Sequence, residues 1–131
     1  MSKFGRTELH LACRSNDTAA VQRLCNISGV SLNVKDDHGF TPLYHTAIFG
    51  NIESMRILLS AGADTHIADL GGLTPLHIAA EKCQPQAVKL LLEHGANPTA
   101  KDSIGRTARD WAESKHIAIV LQAFDACGCC S

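Results

Sequence analysis

The chain has 131 residues, a formal net charge of −1, 45% hydrophobic residues and 19% charged residues, as expected for a folded soluble domain and not for a disordered segment. A net charge so close to zero gives no electrostatic reason to expect nucleic acid or an anionic membrane as a partner. No apolar run approaches the roughly 20 residues that span a bilayer, and the start, MSKFGRTELH, lacks an apolar stretch of signal-peptide type. We therefore expect a cytoplasmic or nuclear protein whose six cysteines are mostly reduced.

Four related phrases recur along the chain: TELHLAC, TPLYHTA, TPLHIAA and TARDWAE. They begin at Thr7, Thr41, Thr74 and Thr107, which stand 34, 33 and 33 residues apart. A fixed period in this range indicates an array of repeats in place of one undivided core.

Each threonine is predicted to begin a short helix. Threonine is a good N-cap residue, and Pro42 and Pro75 follow at the first helical position, where proline is favoured. Small residues five and six positions after the threonine would let neighbouring helices approach closely. The pattern predicts first helices near residues 7–15, 41–49, 74–82 and 107–114.

A second, longer helix follows in each unit. A breaker position lies nine residues after each threonine, and a capping-type residue comes next. Apolar residues then recur at helical spacing, and Gly62 and Gly95 end two of these helices. The pattern predicts second helices near residues 18–26, 52–60, 85–93 and 117–126. The extra residue of the first period is predicted in the loop NISGVSLN, residues 26–33.

A turn precedes each of the last three threonines, with the pattern Asp-x-x-Gly. The glycine suits a tight turn that needs positive φ, and the aspartate can accept hydrogen bonds from the backbone of its own turn. Each unit is therefore a turn, a short helix, a second turn and a longer helix, and it can bury its apolar face only against a neighbouring unit.

This arrangement closely resembles the ankyrin repeat from about Gly5 to Ala126, most clearly in GLTPLHIAAEKCQPQAVKLLLEHGANPTAKD, residues 72–102. The resemblance implies an all-α solenoid of four helix-turn-helix units with β-hairpin-like turns between them. One domain, residues 1–126, would contain repeats at about 5–37, 38–70, 71–103 and 104–126, followed by a cysteine-rich tail at 127–131.

Several histidines and cysteines have structural interpretations. His10 and His77 occupy the histidine of the TPLH phrase, where the resemblance implies hydrogen bonds within and between repeats; Tyr44 replaces it in the second repeat. Cys13 and Cys25 are predicted to be inert buried thiols. Cys83 holds a breaker position where a residue other than glycine is mildly strained, so it is either tolerated there or exposed and reactive.

The tail CGCCS leaves three alternatives open for Cys127, Cys129 and Cys130. They are unmodified thiols at a frayed end, acceptors for palmitate or prenyl groups, or metal ligands. A C-a-a-X box would need cysteine four residues from the end, where Gly128 stands. No second Cys/His pair lies at the spacing of a zinc site.

No pattern of catalytic residues is present. The sequence lacks Gly-x-Ser-x-Gly, a phosphate-binding loop and His-Glu-x-x-His. We therefore predict a protein that is not an enzyme and has no cofactor, metal or catalytic residue.

The family resemblance implies that a partner protein docks on a concave face made by the turn tips and the first helices. In the first repeat this face would include Leu11 and Arg14. In the later repeats the candidate partner-binding residues are Asp37, His38, Phe40, His45, Ile48, Phe49, Leu70, Leu73, Glu81, Lys82, Ile104, Arg106 and Trp111. Many are apolar at positions where polar residues would be free to occur. Some, above all Ile48 and Leu70, could instead pack between the turns.

The sequence thus favours a non-catalytic protein-binding module of adaptor or inhibitor type. The alternative is a small regulatory or targeting subunit held at a membrane by a lipidated cysteine tail. Asn33, in NVKD, matches the hairpin asparagine that asparaginyl hydroxylases modify in this family. Because the last helix is apolar on nearly all sides, including at Ile119, we expect a monomer with weak self-association through that helix.

Overall fold

A computed structural model describes residues 5–114, 120, 122 and 123. The first of these ranges contains helices Glu8–Ser15 (α1), Thr18–Cys25 (α2), Pro42–Phe49 (α3), Ile52–Ser60 (α4), Pro75–Glu81 (α5), Pro85–Glu93 (α6) and Ala108–Ser114 (α7). Each agrees with a predicted helix to within one residue at either end. The eighth predicted helix falls mostly outside the described residues, although 120, 122 and 123 are helical. None of the helices in this part of the chain is long and apolar enough to cross a membrane.

The helices form two layers. In one layer α1 packs on α3, α3 on α5 and α5 on α7, while in the other α2 packs on α4 and α4 on α6. Leucines of the first helices and aliphatic residues of the second helices meet between the layers, and the largest fully buried apolar side chains are Val21, Leu43, Met55, Leu58, Leu76, Val88, Leu91 and Val120. Each helix pair therefore stabilises its neighbours, as expected for a solenoid.

Threonine caps the first helices as predicted. The hydroxyl of Thr7, Thr41 and Thr74 accepts a hydrogen bond from the backbone N–H three residues later. At Thr107 the cap is reciprocal, because the Asp110 carboxylate accepts from the Thr107 N–H at 3.0 Å while the Thr107 hydroxyl accepts from the Asp110 N–H at 3.1 Å. These local contacts satisfy N–H groups that a helix start otherwise leaves without partners.

Three of the four predicted breaker positions adopt the left-handed conformation, with φ of 56° at Asn16, 68° at Gly50 and 59° at Cys83, and the fourth, His116, lies outside the described residues. Asparagine tolerates this region through its short polar side chain, and glycine enters it without strain. Cysteine has neither advantage. Within the described ranges, Asn16 and Cys83 are the two residues other than glycine with positive φ.

Replacing Cys83 by glycine should therefore stabilise the protein by about 1 kcal/mol, because it removes a side chain from a left-handed residue. Chemical denaturation of Cys83→Gly and Asn16→Gly would measure the gain. Asn16→Gly is the matched control and should change the free energy of unfolding by no more than a few tenths of a kcal/mol. Equal or lower stability of Cys83→Gly would contradict the predicted strain.

The three Asp-x-x-Gly turns, named here turn 1 (residues 36–39), turn 2 (69–72) and turn 3 (102–105), share one hydrogen-bond pattern. The aspartate Oδ1 of each accepts two backbone N–H groups, from the residues two and four positions later, such as His38 and Phe40 after Asp36. Turns 2 and 3 touch through a hydrogen bond from the Ser103 N–H to the Gly71 carbonyl at 3.0 Å. A Cβ at Gly72 would lie 2.8 Å from that same Ser103 nitrogen, so only glycine permits this approach.

The extra residue of the first repeat lies where it was predicted. Gly29, Gly62 and Gly95 each stand 12 residues before a threonine, and all three have positive φ. The additional residue must therefore lie between the end of α2 at Cys25 and Gly29. A loop absorbs it there without changing the register of the helices.

Candidate protein-binding face

The four first helices and the tips of turns 1–3 lie on one side of the solenoid, which we call the first-helix face. The structure shows which candidate residues of this face are exposed and which are buried in contacts within the protein. That distinction decides what the face can contact.

His10 on α1 and His77 on α5 link their helices to the turn of the following repeat through hydrogen bonds. The Nδ1 atom of His10 accepts from the Thr7 N–H at 3.1 Å, so Nε2 carries the ring hydrogen and donates it to the Phe40 carbonyl at 2.8 Å. His77 repeats this arrangement with Thr74 and with the Arg106 carbonyl, also at 2.8 Å. The hydrogen bonds implied by the family resemblance are therefore confirmed within and between repeats.

Tyr44 replaces this histidine and uses a different acceptor. Its hydroxyl donates to the Oδ2 atom of Asp69 at 2.6 Å, which ties α3 to turn 2. Burial, together with the hydrogen bond to a carboxylate, raises the pKa of Tyr44. The hydrogen-bond network at this position is therefore altered, and it preserves the link between a helix and the next turn.

His45 was predicted to contact a partner, and this prediction is wrong. Its side chain is fully buried, with Nε2 donating to the Asp36 Oδ2 atom at 2.9 Å. The Nδ1 atom is also buried and has no hydrogen-bond partner. Burial lowers the pKa of His45 to about 4, although the Asp36 carboxylate opposes this effect. Three aromatic rings around turn 1 pack together here, so His45 belongs to the interior of the repeat stack.

Phe40 also belongs mainly to the fold. It is half-buried against the hydrophobic core, and its ring stacks on Tyr44 with centroids 4.4 Å apart and planes 7° apart. His45 meets the same ring edge-on at 5.6 Å. The prediction of Phe40 as a partner-binding residue is therefore corrected, because most of its ring contacts are internal.

The other candidates on the first-helix face divide by exposure. Leu70 is 82% exposed, Ile104 is 71% exposed and Phe49 is 47% exposed. The expectation that Leu70 could pack between the turns is thus wrong, since the side chain projects from the tip of turn 2. The remaining exposed candidates are Asp37, His38, Lys82 and Arg106, and the half-buried ones are Ile48, Leu73, Glu81 and Trp111.

An apolar pocket of about 230 Å³ opens between α5 and α7 on this face. Its lining residues are Leu73, Ile78, Glu81, Lys82 and Trp111. The indole N–H of Trp111 donates to the Asp102 Oδ2 atom at 2.9 Å, which fixes the ring against turn 3. Ile78 also lines this pocket and is buried, with 8% of its surface exposed.

The remaining candidate positions lie elsewhere. Cys13 is buried, and burial raises the pKa of its thiol to about 12; Cys25 is half-buried, and burial raises its pKa as well. Cys83 is exposed. Asn33 is exposed, and its Oδ1 atom accepts from the Asp64 N–H at 2.9 Å, which links two neighbouring loops.

The candidate lipidation sites Cys127, Cys129 and Cys130, and Ile119 of the proposed self-association surface, lie outside the described residues.

One set of three ligand-type side chains is close together among the described residues: His10, Asp36 and His45, with one atom of each within 4.8 Å of the others. All three are buried, but each is engaged in the hydrogen bonds described above. Asp36 Oδ2 additionally lies 3.5 Å from the Arg6 guanidinium. We therefore interpret the set as a hydrogen-bond network that fixes turn 1.

Comparison with known proteins agrees with this architecture. A family model described as ankyrin repeats in three copies matches residues 1–69, and one described as ankyrin repeats in many copies matches residues 58–112. The ADP-ribosylation factor GTPase-activating protein AGD4 of Arabidopsis thaliana is 42% identical over 59 residues, which cover 45% of this chain and 8% of that protein.

Two animal proteins match shorter segments. SH3 and multiple ankyrin repeat domains protein 2 of Homo sapiens is 47% identical over 49 residues, covering 37% of this chain and 3% of that protein. SMC5-SMC6 complex localization factor protein 1 of Mus musculus is 36% identical over 55 residues, covering 42% of this chain and 5% of that protein. The chain thus spans less than a tenth of the length of each of these relatives. The period, the capped helix pairs, the histidine links and the family matches together show that this chain belongs to the ankyrin repeat family.

Proposed function

We propose that this chain is a non-catalytic protein-binding module, of adaptor or inhibitor type, that contacts its partner through the first-helix face. The observation that carries this proposal is the exposure of three large apolar side chains on one first helix and two turn tips. Phe49 ends α3, Leu70 lies in turn 2 and Ile104 lies in turn 3, all of which belong to the first-helix face. Exposed apolar side chains clustered in this way are typical of interaction sites.

The support beneath these residues also favours binding. Each turn is held by its aspartate and by a histidine or tyrosine from the preceding first helix, as at turn 3 with Asp102 and His77. The tips are therefore fixed before a partner arrives. A fixed surface loses less conformational entropy on association than a mobile one.

The first test uses Phe49→Ala/Leu70→Ala/Ile104→Ala. The tagged chain captures partners from cell extract, and the affinity of a captured protein is then measured with purified components. We expect the triple variant to weaken binding about 30-fold or more, because large anchors at the centre of an interface each contribute on the order of 1–2 kcal/mol.

The matched control replaces exposed residues of the second-helix layer, Arg56→Ala/Gln86→Ala/Lys89→Ala. Both triple variants should unfold at nearly the wild-type denaturant concentration, since the side chains are exposed. Loss of binding in the control with full binding in the first variant would place the contact on the opposite side of the solenoid.

A further inference from the structure

Two arginines on the first-helix face lie over aromatic rings. The guanidinium carbon of Arg14 is 5.0 Å from the ring centroid of Phe49, and that of Arg106 is 5.2 Å from the ring centroid of Trp111. A cation over a ring face is favourable, and a guanidinium has several N–H groups that can donate to a further acceptor. Each arginine is thus oriented in advance for an acceptor.

Neither guanidinium has an acidic partner in the part of the chain that the structure describes. The carboxylates nearby are used by other groups. Asp36 accepts a hydrogen bond from His45 and lies beside the Arg6 guanidinium. Glu81 lies 3.6 Å from the Lys82 ammonium. Asp102 accepts from the Trp111 indole, and Asp110 caps α7. Asp37, exposed at the tip of turn 1, is the exception. Two preorganised cations are therefore left on a face whose carboxylates are mostly engaged.

The pocket between α5 and α7 lies beside the second of these arginines, since Trp111 both lines it and carries Arg106. Its volume of about 230 Å³ is below the roughly 300–1,000 Å³ of typical small-molecule sites. Leu73, Ile78 and the indole give it apolar walls, and its two charged lining residues, Glu81 and Lys82, pair with each other at 3.6 Å. A single apolar side chain suits this cavity better than a free metabolite does.

We propose that the first-helix face recognises an extended acidic segment of a partner protein. One apolar side chain of that segment enters the pocket, a carboxylate beside it meets Arg106, and a second carboxylate meets Arg14. This rests on the proposed function and adds the chemistry of the partner. Phe49 on α3 and Trp111 on α7 are separated by two helix-to-helix spacings of about 8–10 Å each, which an extended chain covers in roughly five or six residues at about 3.3 Å per residue.

Trp111 is the only tryptophan of the chain, so its fluorescence reports directly on the pocket. The probe is an end-capped, otherwise Gly/Ser peptide of eight residues with a leucine, a glutamate next to it and a second glutamate six positions from the first. Titration should give a saturable change in Trp111 emission. Replacing the leucine by alanine, or both glutamates by glutamine, should weaken binding about 10-fold or more, because each change removes one of the two contact types.

Protein variants are measured by calorimetry, because changing Arg106 also alters the surroundings of the fluorophore. Arg106→Gln and Arg14→Gln should each weaken the glutamate peptide about 10-fold while leaving the glutamine peptide unaffected. Lys89→Gln, on α6 in the second-helix layer, is the charge-matched control and should bind like the wild type.

Four results would overturn the acidic-segment proposal. The first is the absence of a saturable signal, and the second is equal affinity for the glutamine and glutamate peptides. The third is tighter binding of a peptide in which lysine replaces both glutamates. The fourth is competition by a short oligothymidine as strong as that by the glutamate peptide. If any of these occurs while a captured protein still depends on Phe49, Leu70 and Ile104, the protein-binding function stands and only the acidic chemistry is rejected.

Discussion

Acidification from pH 6.5 to pH 4 should lower the free energy of unfolding by about 3 kcal/mol through His45 alone. Burial lowers the pKa of this histidine to about 4 in the folded protein, against a value of 6.5 for the unfolded chain. The difference of about 2.5 pKa units corresponds to about 3 kcal/mol at 1.36 kcal/mol per unit. The cause is structural: the buried Nδ1 atom has no acceptor for the proton that it would gain.

The direction of this effect follows from proton binding. Between pH 6.5 and pH 4 the unfolded chain holds a proton at position 45 that the folded protein does not, so stability increases with pH. The contribution is complete above pH 6.5 and is lost as the pH falls toward 4. Protonation of Asp36 lowers the free energy of unfolding further at lower pH. Burial alone would raise the pKa of Asp36, but N–H donors of turn 1 and His45 together lower it.

Urea denaturation at half-unit steps from pH 7 to pH 4 measures this dependence. In the His45→Gln variant the free energy of unfolding should depend much less on pH above pH 4, whatever its stability at pH 7. A smaller slope should remain from His10, whose pKa is lowered by burial. His66→Gln is the control, since its side chain is 60% exposed, and it should keep the wild-type slope. An unchanged slope in His45→Gln would show that the ring is accessible to solvent.

Phe40→Ala should destabilise the protein by about 3 kcal/mol, whereas Phe49→Ala should cost no more than about 1 kcal/mol. Removing the Phe40 ring leaves a cavity against the core and deletes the stack on Tyr44, and Phe→Ala changes in cores cost about 3–5 kcal/mol. Phe49 is 47% exposed, so its truncation loses mainly the contact with Arg14.

Denaturant unfolding of the two single variants at pH 7 separates these effects. The comparison is internally matched, because both changes remove the same ring from the same repeat. Equal costs for the two variants would mean that Phe40 is as exposed as Phe49 and that the packing around turn 1 is wrong. The result also decides which phenylalanine is suitable for binding studies, because a destabilised variant would lose binding through unfolding and not through the loss of a partner contact.

The helix boundaries illustrate what local rules can predict. The threonine caps, the left-handed residues Asn16, Gly50 and Cys83, and the glycine stops at Gly62 and Gly95 all act within a few residues of the chain. The backbone conformation at such positions depends on the residue itself and on its nearest hydrogen bonds. For this reason the seven helices described by the structure were predicted to within one residue at either end.

The candidate site was predicted less completely. The repeat register predicted a set of positions that includes the exposed Phe49 and Ile104 and the half-buried Trp111, but it treated the buried His45 and the half-buried Phe40 as equivalent to them. Residues at matching repeat positions can differ in burial, because the neighbouring turn covers some of them and leaves others exposed. The pairing of Arg14 with Phe49 spans two repeats, and the only sequence signal for it is that they occupy adjacent positions, seven and eight residues after their threonines.

The sequence by itself determined the number of repeats in the described part, the two-helix unit, the turn chemistry and the membership of a binding fold. These properties follow from periodicity and from contacts that each repeat makes internally. Only the tertiary structure decided that His45 is a buried partner of Asp36, that Leu70 projects into solvent, and that a pocket forms between α5 and α7 beside Trp111. Each of these depends on how one repeat stacks on the next, which brings together side chains from different repeats and sets how much water each can reach.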